Sequence, residues 1–156
     1  MKNFRYEPRA FGLAAALVAL ALAAPAGADS TKEISGLTGP KAPVGMAIKE
    51  LGAIKLGPEF PQIPEAADYL MRGRYVTVKA GGIVPIHSHK DRPAITYVIE
   101  GEIVEHRSDQ EGAILRKAGE VTIDDDAIAQ WWENKTDRTV TMFVVDFLDP
   151  KKTAGH

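Results

Sequence analysis

Two histidines separated by one residue are the side chains in this sequence best suited to chemistry. His87 and His89 flank Ser88. On an extended segment, residues i and i+2 project from the same face, so both imidazoles would lie side by side. Such a pair can chelate one divalent ion, whereas on a solvated strand edge it would be two surface histidines. The residues around the pair therefore decide between a metal site and a solvated edge.

The spacing around this pair resembles the first motif of the cupin superfamily. That motif reads glycine, five residues, His-x-His, four residues, glutamate, six residues, glycine. Gly81, His87, His89 and Gly101 are in register with it. Ala94 stands where the motif has its metal-binding glutamate, and a methyl group cannot ligate a metal.

A second stretch, 119–134, resembles the second cupin motif: glycine, five residues, Pro-x-Gly, two residues, histidine, three residues, asparagine. Gly119 and Asn134 are in register, residues 125–127 replace Pro-x-Gly, and Gln130 stands at the third histidine. Two of the four usual ligands are therefore absent. The resemblance implies the fold and leaves the metal open.

The pattern of short apolar runs predicts an all-β fold. The runs are rich in β-branched and aromatic residues, are separated by turn residues, and show no helical period of useful length. They lie at 72–79, 93–99, 102–107, 114–116, 120–123, 128–133 and 140–148. This pattern predicts a β-sandwich or barrel. The resemblance specifies a double-stranded β-helix, the cupin or jelly-roll barrel, at residues 67–150 with a C-terminal tail at 151–156.

Residues 29–66 are rich in glycine and proline, yet contain too many apolar side chains for a disordered linker. We expect an N-terminal arm with short strands that lies against the domain or a neighbouring subunit. The resemblance implies that such an arm covers the barrel or completes a homodimer. A flexible leader is the alternative.

The first 28 residues have the features of a signal peptide. Lys2, Arg5 and Arg9 precede an alanine- and leucine-rich segment at 11–24, which is shorter than the roughly 20 residues that span a bilayer. Small residues at 26–28 predict cleavage after Ala28. The mature protein is therefore predicted to be periplasmic or secreted, without stable membrane insertion.

Charge and composition exclude several classes of partner. Removing residues 1–28 takes away three of the 19 basic and one of the 21 acidic residues, which leaves 16 and 20 and a net charge of −4. This charge argues against a nucleic-acid partner. The chain has no cysteine, which excludes disulfides and thiolate metal sites, and nothing in it indicates a nucleotide cofactor.

Alternation along strands predicts which side chains line the barrel. His87, His89, Gln130, Trp132 and Asn134 would face the lumen, and the tryptophan at 131 would face outward. Trp132 can equally be a core residue that only fills volume. Tyr75, Thr96 and Arg92 are further candidates for a small-molecule pocket.

Two imidazoles and the amide oxygen of Gln130 are a possible donor set for iron, manganese, nickel, copper or zinc. Glu105 is a candidate replacement carboxylate, because a two-residue turn at Glu100-Gly101 would pair Thr96 with Glu105 on the lumen side. A single bulge would instead turn His106 inward. Each of these two residues can also be an ordinary solvated strand position.

Three functions are compatible with these residues. A metal-bound cupin would resemble dioxygenases and isomerases of small oxygenated compounds, a metal-free barrel would bind a small molecule without catalysis, and the arm could serve an oligomeric partner protein. Arg92 is a candidate clamp for a substrate carboxylate or an ion-pair partner of Asp91 or Asp124. Arg72 and Arg74 have the same two interpretations.

Overall fold

A computed structural model describes residues 31–151, and strands dominate them. The strands are β1 Thr31–Ile34, β2 Leu37–Pro40, β3 Val44–Lys55, β4 Leu70–Ser88, β5 Ala94–Glu100, β6 Glu102–Arg107, β7 Ala113–Lys117, β8 Val121–Asp124, β9 Ala129–Glu133 and β10 Val140–Leu148. A four-residue helix, α1 at Leu56–Glu59, and a 3₁₀ turn at Pro64–Ala66 follow β3. The all-β prediction is confirmed. The predicted signal peptide, and the predicted tail beyond Lys151, lie outside the described residues.

Eight of these strands, β3 to β10, form one curled antiparallel sheet in the order β7-β6-β9-β4-β10-β5-β8, with β3 also paired to β4. The long strand β4 joins two layers, because its first half pairs with β10 and its second half with β9. It bends at Gly81, whose φ is +67°, and at Gly82, where a Cβ would lie 2.7 Å from the Lys79 carbonyl oxygen. The two glycines therefore bend one continuous strand and do not end it.

The two layers enclose an apolar core, which the inward-facing side chains of the strands form. Nine buried residues form it: Val76, Val78, Ala94, Val98, Ile103, Trp132, Val140, Met142 and Val144. Val78, Val98 and Val140 are fully buried, and each such side chain contributes roughly 1.5–3 kcal/mol relative to leaving it in water. This arrangement confirms the predicted barrel.

The hairpin predicted between β5 and β6 is wrong. β5 pairs with β10 and β8, whereas β6 pairs with β9 and β7. Gly101, with a φ of +86°, connects two strands that lie in different layers. Thr96 and Glu105 are therefore not cross-strand partners. Glu105 lies opposite Trp132 of β9 instead.

The arm is more regular than expected. β3 is a strand of 12 residues that pairs with β4 from Leu70 to Val78, so the expectation of short strands is wrong there. β1 and β2 form a separate hairpin, and Gly39 of β2 lies so close to Trp131 that a Cβ would be 2.5 Å from the indole. Within residues 31–151, no helix has the length and apolar character needed to cross a membrane.

Candidate functional site

A cavity of about 380 Å³ opens between the two layers, a volume typical of small-molecule sites. Side chains from β3, β4, β5, β9 and β10 line it. Of the predicted site residues, the cavity is lined by His87, His89, Arg92, Thr96, Gln130 and Trp132. Strand alternation had placed four of these six in the lumen: His87, His89, Gln130 and Trp132.

The two histidines are close, and their hydrogen bonds define their tautomers. Their ring centroids are 5.0 Å apart. Nδ1 of His87 lies 2.8 Å from the Pro85 carbonyl oxygen, and Nδ1 of His89 lies 3.0 Å from that of Arg92. A carbonyl only accepts, so each Nδ1 carries the proton and each Nε2 keeps its lone pair.

Both imidazoles are held neutral. Burial, together with the neighbouring His89 and the cationic Arg92, lowers the pKa of His87 to about 3. Burial also lowers the pKa of His89, although the nearby Asp124 carboxylate opposes the shift. Neutral imidazoles are acceptors at Nε2.

Gln130 links His89 to Asp124. Its Nε2 lies 2.9 Å from His89 Nε2 and 3.1 Å from Asp124 Oδ2. Both partners are acceptors, so the amide nitrogen must face them and donate to both. Oε1 consequently points away from them, and it is buried without a hydrogen-bond partner in the described part of the chain.

Glu105 is buried, but among arginines rather than beside the histidines. Its Oε1 accepts from Arg107 at 2.9 Å and its Oε2 from Arg116 at 2.6 Å. Arg107 also donates to Asp124 at 2.6 Å. Burial raises the pKa of Glu105, while the two guanidiniums act in the opposite direction. Glu105 does not line the cavity, so the structure does not bring it to His87 and His89 as the hairpin pairing would have done.

As arranged, these residues do not fit a divalent ion. The lone pair of His89 that would ligate a metal accepts from Gln130, and the amide of Gln130 turns its nitrogen to that side. Ala94 adds only a methyl group. Within residues 31–151 no three His, Cys, Asp or Glu side chains converge in a geometry for a metal. His87 Nε2 and Gln130 Oε1 remain as donors, fewer than the three protein ligands of common catalytic sites.

Three guanidiniums surround one buried carboxylate beside the cavity. Arg72 makes two hydrogen bonds to Asp146, at 3.0 and 2.9 Å. Arg74 lies 2.9 Å and Arg92 3.9 Å from the same Asp146 Oδ2. Three cations therefore share one anion, apart from a 3.9 Å contact between Arg72 and the exposed Glu50.

Two of these arginines line the cavity, and the single Asp146 carboxylate does not balance the positive charge of the cluster. The two are Arg74 and Arg92, and Nε of Arg74 is buried with no partner among the described residues. Lys32 and Lys41 of the arm line the cavity as well. None of the described residues that line the cavity is acidic. The remaining walls are largely apolar, formed by residues such as Met46, Ile48, Val76, Val84, Met142 and Val144.

Two predicted pocket residues lie elsewhere. Tyr75 is 38% exposed on the outer face, where its ring contacts Phe143 edge-on at 6.0 Å, because alternation along β4 directs its neighbours Arg74 and Val76 inward. Asn134 is buried, but its amide donates to the carbonyl oxygens of residues 78, 79 and 138 and does not line the cavity. Both assignments to the pocket are wrong.

The outer position predicted for Trp131 is confirmed. Its indole stacks on His106 with ring centroids 3.8 Å apart, and His106 Nε2 lies 2.9 Å from Glu133. His106 therefore does not turn inward. Sequence reasoning missed Asp146, although it lies on the inward phase of β10, two residues after the buried Val144. This inward position within a predicted strand was the sequence signal that could have identified Asp146.

Three solved structures share this architecture. A predicted oxalate decarboxylase from Thermotoga maritima is 20% identical, with a TM-score of 0.51 over 66% of this chain and 80% of that one. A polyketide cyclase from Streptomyces resistomycificus is 19% identical, with a TM-score of 0.53 over 68% and 67%. A cupin domain from Schizosaccharomyces pombe is 14% identical, with a TM-score of 0.50 over 69% and 63%. No protein-family model and no curated sequence matches the chain. Identities at this level establish a shared fold alone.

Proposed function

The chain has the cupin fold, and we propose that its barrel binds a small organic anion without a metal ion. The observation that carries this proposal is that Arg74 and Arg92 line a cavity whose described lining includes no acidic side chain, while Nε of Arg74 has no hydrogen-bond partner among the described residues. A buried donor without a partner costs about 1–3 kcal/mol, and a ligand carboxylate would remove that cost. Charge-assisted hydrogen bonds from a guanidinium are among the strongest available for this purpose.

The apolar walls of the cavity indicate the chemistry of the rest of the ligand. Met142, Val144 and Trp132 offer hydrocarbon and aromatic surface beside the two arginines. A carboxylate attached to a small apolar body satisfies both parts of the cavity. A phosphate or other fully polar anion would leave these walls uncovered.

The hydrogen bonds of the histidines favour the metal-free alternative. The oxygenase or isomerase chemistry implied by the cupin motifs requires an ion bound through His87 and His89. The second of these already accepts a hydrogen bond from Gln130. We therefore propose a binding module and assign no reaction to it.

Calorimetric titration of the chelator-treated protein tests the proposal. Short-chain monocarboxylates should bind, and the corresponding uncharged amides should bind at least about tenfold more weakly. Arg74→Met should weaken carboxylate binding at least about tenfold. Arg138→Met removes an exposed cation outside the cavity and serves as the matched control. Carboxylate binding that requires added metal, or that is unaffected by Arg74→Met, would contradict the proposal.

Export remains part of the proposal, on the basis of residues 1–28. The basic start, the short apolar segment and the small residues before Asp29 support a cleaved signal peptide. The mature protein should begin at Asp29. Intact-mass measurement on protein recovered from the periplasm or medium tests this, and retention of the first 28 residues would refute it.

We also propose that a second copy covers the outer face of β5, β8 and β10. Ile95 lies directly opposite both Ile123 and Val145, and Tyr97 is opposite Val121. Ile123 is 70% exposed. Because these positions are uncharged, two such faces can meet without repulsion, as a two-fold homodimer requires. Sedimentation velocity should show a dimer that Ile123→Glu dissociates, and a monomer for the wild-type protein at all concentrations would contradict this.

A further inference from the structure

The cavity presents acceptors that the proposed anion alone would not satisfy. Gln130 is 2% exposed, lines the cavity, and has an Oε1 with no hydrogen-bond partner in residues 31–151. His87 also lines the cavity, and its Nε2 carries a lone pair because Nδ1 donates to Pro85. His87 and Gln130 are direct cross-strand partners in β4 and β9. The two residues that carry these acceptors therefore lie side by side on neighbouring strands.

The orientation of the Gln130 amide is a consequence of its partners. Turning the amide over would place Oε1 against Asp124 Oδ2, now 3.1 Å from the amide nitrogen, and against the lone pair of His89. Both new contacts would be repulsive. Asp124 is itself held by Arg107 at 2.6 Å. The buried network behind the cavity thus holds Oε1 away from Asp124 and His89.

We propose that the ligand is a hydroxy acid, whose hydroxyl group donates to Gln130 Oε1 or His87 Nε2 while its carboxylate contacts Arg74. This inference rests on the proposed function and specifies its ligand further. An ammonium group would also donate, but it would enter a cavity already lined by Arg74, Arg92 and two lysines. A neutral hydroxyl adds no charge there. Gln130 and His87 are binding residues in this assignment, and Asp124 is a positioning residue.

Sites that hydrogen-bond a substrate hydroxyl discriminate strongly against the analogue that lacks it. The site's buried acceptor loses water on binding either ligand, and only the hydroxylated one replaces the lost hydrogen bond. An unreplaced hydrogen bond in a buried site weakens binding by about tenfold or more. The presence of the hydroxyl should therefore change the affinity of the ligand more than the length of its apolar body does.

The experiment uses matched pairs of ligands on the full mature chain. Calorimetry compares each short-chain carboxylic acid with hydroxy acids of the same carbon skeleton, with the hydroxyl placed at each position in turn. For the wild-type protein, at least one hydroxy acid should bind about tenfold or more tightly than its parent acid. Gln130→Met should abolish that gain, and the parent acid should bind no more weakly than it does to the wild-type protein, because the variant has no amide acceptor to desolvate. Tyr75→Leu, a variant on the outer face of β4 and outside the cavity, should keep the gain.

A second variant guards against loss of folding, because Gln130→Met also removes the donor to His89 and Asp124. His87→Phe keeps a ring of similar size and removes the other acceptor, so it should reduce the gain without weakening the binding of the parent acid. If parent acids bind through Arg74 and no hydroxy acid exceeds its parent, the inference is overturned and the proposed function stands. A gain that persists in both variants also overturns it. If no carboxylate binds, both proposals fail.

Discussion

Two buried aspartates flank Ala94, and their electrostatic surroundings differ. Asp146 of β10 and Asp124 of β8 are both direct cross-strand partners of Ala94. Three guanidiniums share Asp146, from Arg72 and two arginines that line the cavity. Asp124 belongs to a network in which Arg107 also contacts Glu105 and Asp109, and Arg116 contacts Glu105. One cluster has more cations than anions, and the other has more anions than cations.

The difference separates a binding site from a structural network. Around Asp124 every carboxylate has a guanidinium, and Arg107 and Glu105 are buried with their partners, so no ligand is needed. Around Asp146 one carboxylate contacts three cations, and the buried Nε of Arg74 has no partner within residues 31–151. Buried charge is costly unless it is compensated. The excess positive charge faces the cavity, where a ligand anion can compensate it.

Asp146→Asn should have the largest effect. Removing the carboxylate leaves three guanidiniums together, and losing one member of a buried ion cluster costs about 3–5 kcal/mol. Chemical denaturation should show this fall in the free energy of unfolding. Saturating short-chain carboxylate should restore part of it, because the ligand replaces the missing negative charge.

Asp124→Asn is the matched variant on the other side of Ala94. It should also destabilise the protein, because Arg107 and Gln130 lose a buried acceptor. Added carboxylate should not restore more stability than it adds to the wild-type protein. An equal response of both variants to carboxylate would remove the distinction between the two clusters.

Acid pH should destabilise the protein through the histidines between the clusters. The pKa of His87 is about 3 in the fold, below the ordinary value near 6.5, so the folded state resists protonation. Stability from this neutral imidazole is complete above about pH 6.5 and is lost as the pH falls towards 3. The loss is up to about 1.4 kcal/mol for each pH unit, or roughly 2 kcal/mol at pH 5.

Urea unfolding at pH 7.5 and pH 5 measures this loss. His87→Phe should reduce the difference between the two pH values, and the remainder should reflect His89, whose pKa burial also lowers. Replacing the outward-facing His106 by phenylalanine gives the control. A pH dependence that His87→Phe leaves unchanged would show that its imidazole is not the group being protonated.

Gln130→His should convert the cavity into a metal site. The substitution removes the amide that occupies His89 Nε2 and places a third imidazole opposite His87 in the neighbouring strand. Affinity for Ni²⁺ or Zn²⁺ should rise at least about tenfold, or roughly 1.4 kcal/mol. The gain should disappear when His87 and His89 are both replaced by alanine. Equal affinity in the wild-type and variant proteins would mean that the three positions do not converge on an ion.

Patterns within short segments of the sequence predicted the strands of the barrel and part of the cavity lining. The run at 140–148 was predicted with the bounds of β10, because a segment rich in β-branched and aromatic residues is recognisable by itself. The two-residue period of a strand placed His87, His89 and Gln130 in the cavity. These inferences need no knowledge of which strands are neighbours.

Strand pairing could not be predicted in the same way. Glu100-Gly101 resembles a hairpin turn, but β5 pairs with β10 and β8, and β6 pairs with β9 and β7. The arginine clusters depend on that pairing. Arg74 and Asp146 become neighbours only because β10 lies on β4 with Val144 opposite Arg74. A local reading of the sequence therefore left the arginines ambiguous and missed Asp146.

The smallest effect is expected at Tyr75, which is adjacent to Arg74 in β4 and lies on the opposite face of that strand. Tyr75 contacts Phe143 on the outer surface, and such an aromatic pair contributes about 0.5–1.5 kcal/mol. Tyr75→Leu should therefore lower the free energy of unfolding by roughly 1 kcal/mol and leave the Kd for carboxylates unchanged. Arg74→Met, at the adjacent position, should by contrast weaken carboxylate binding. Because the two side chains share one strand and differ only in the face they occupy, a change in carboxylate affinity on Tyr75→Leu would contradict the assignment of binding to the inner face.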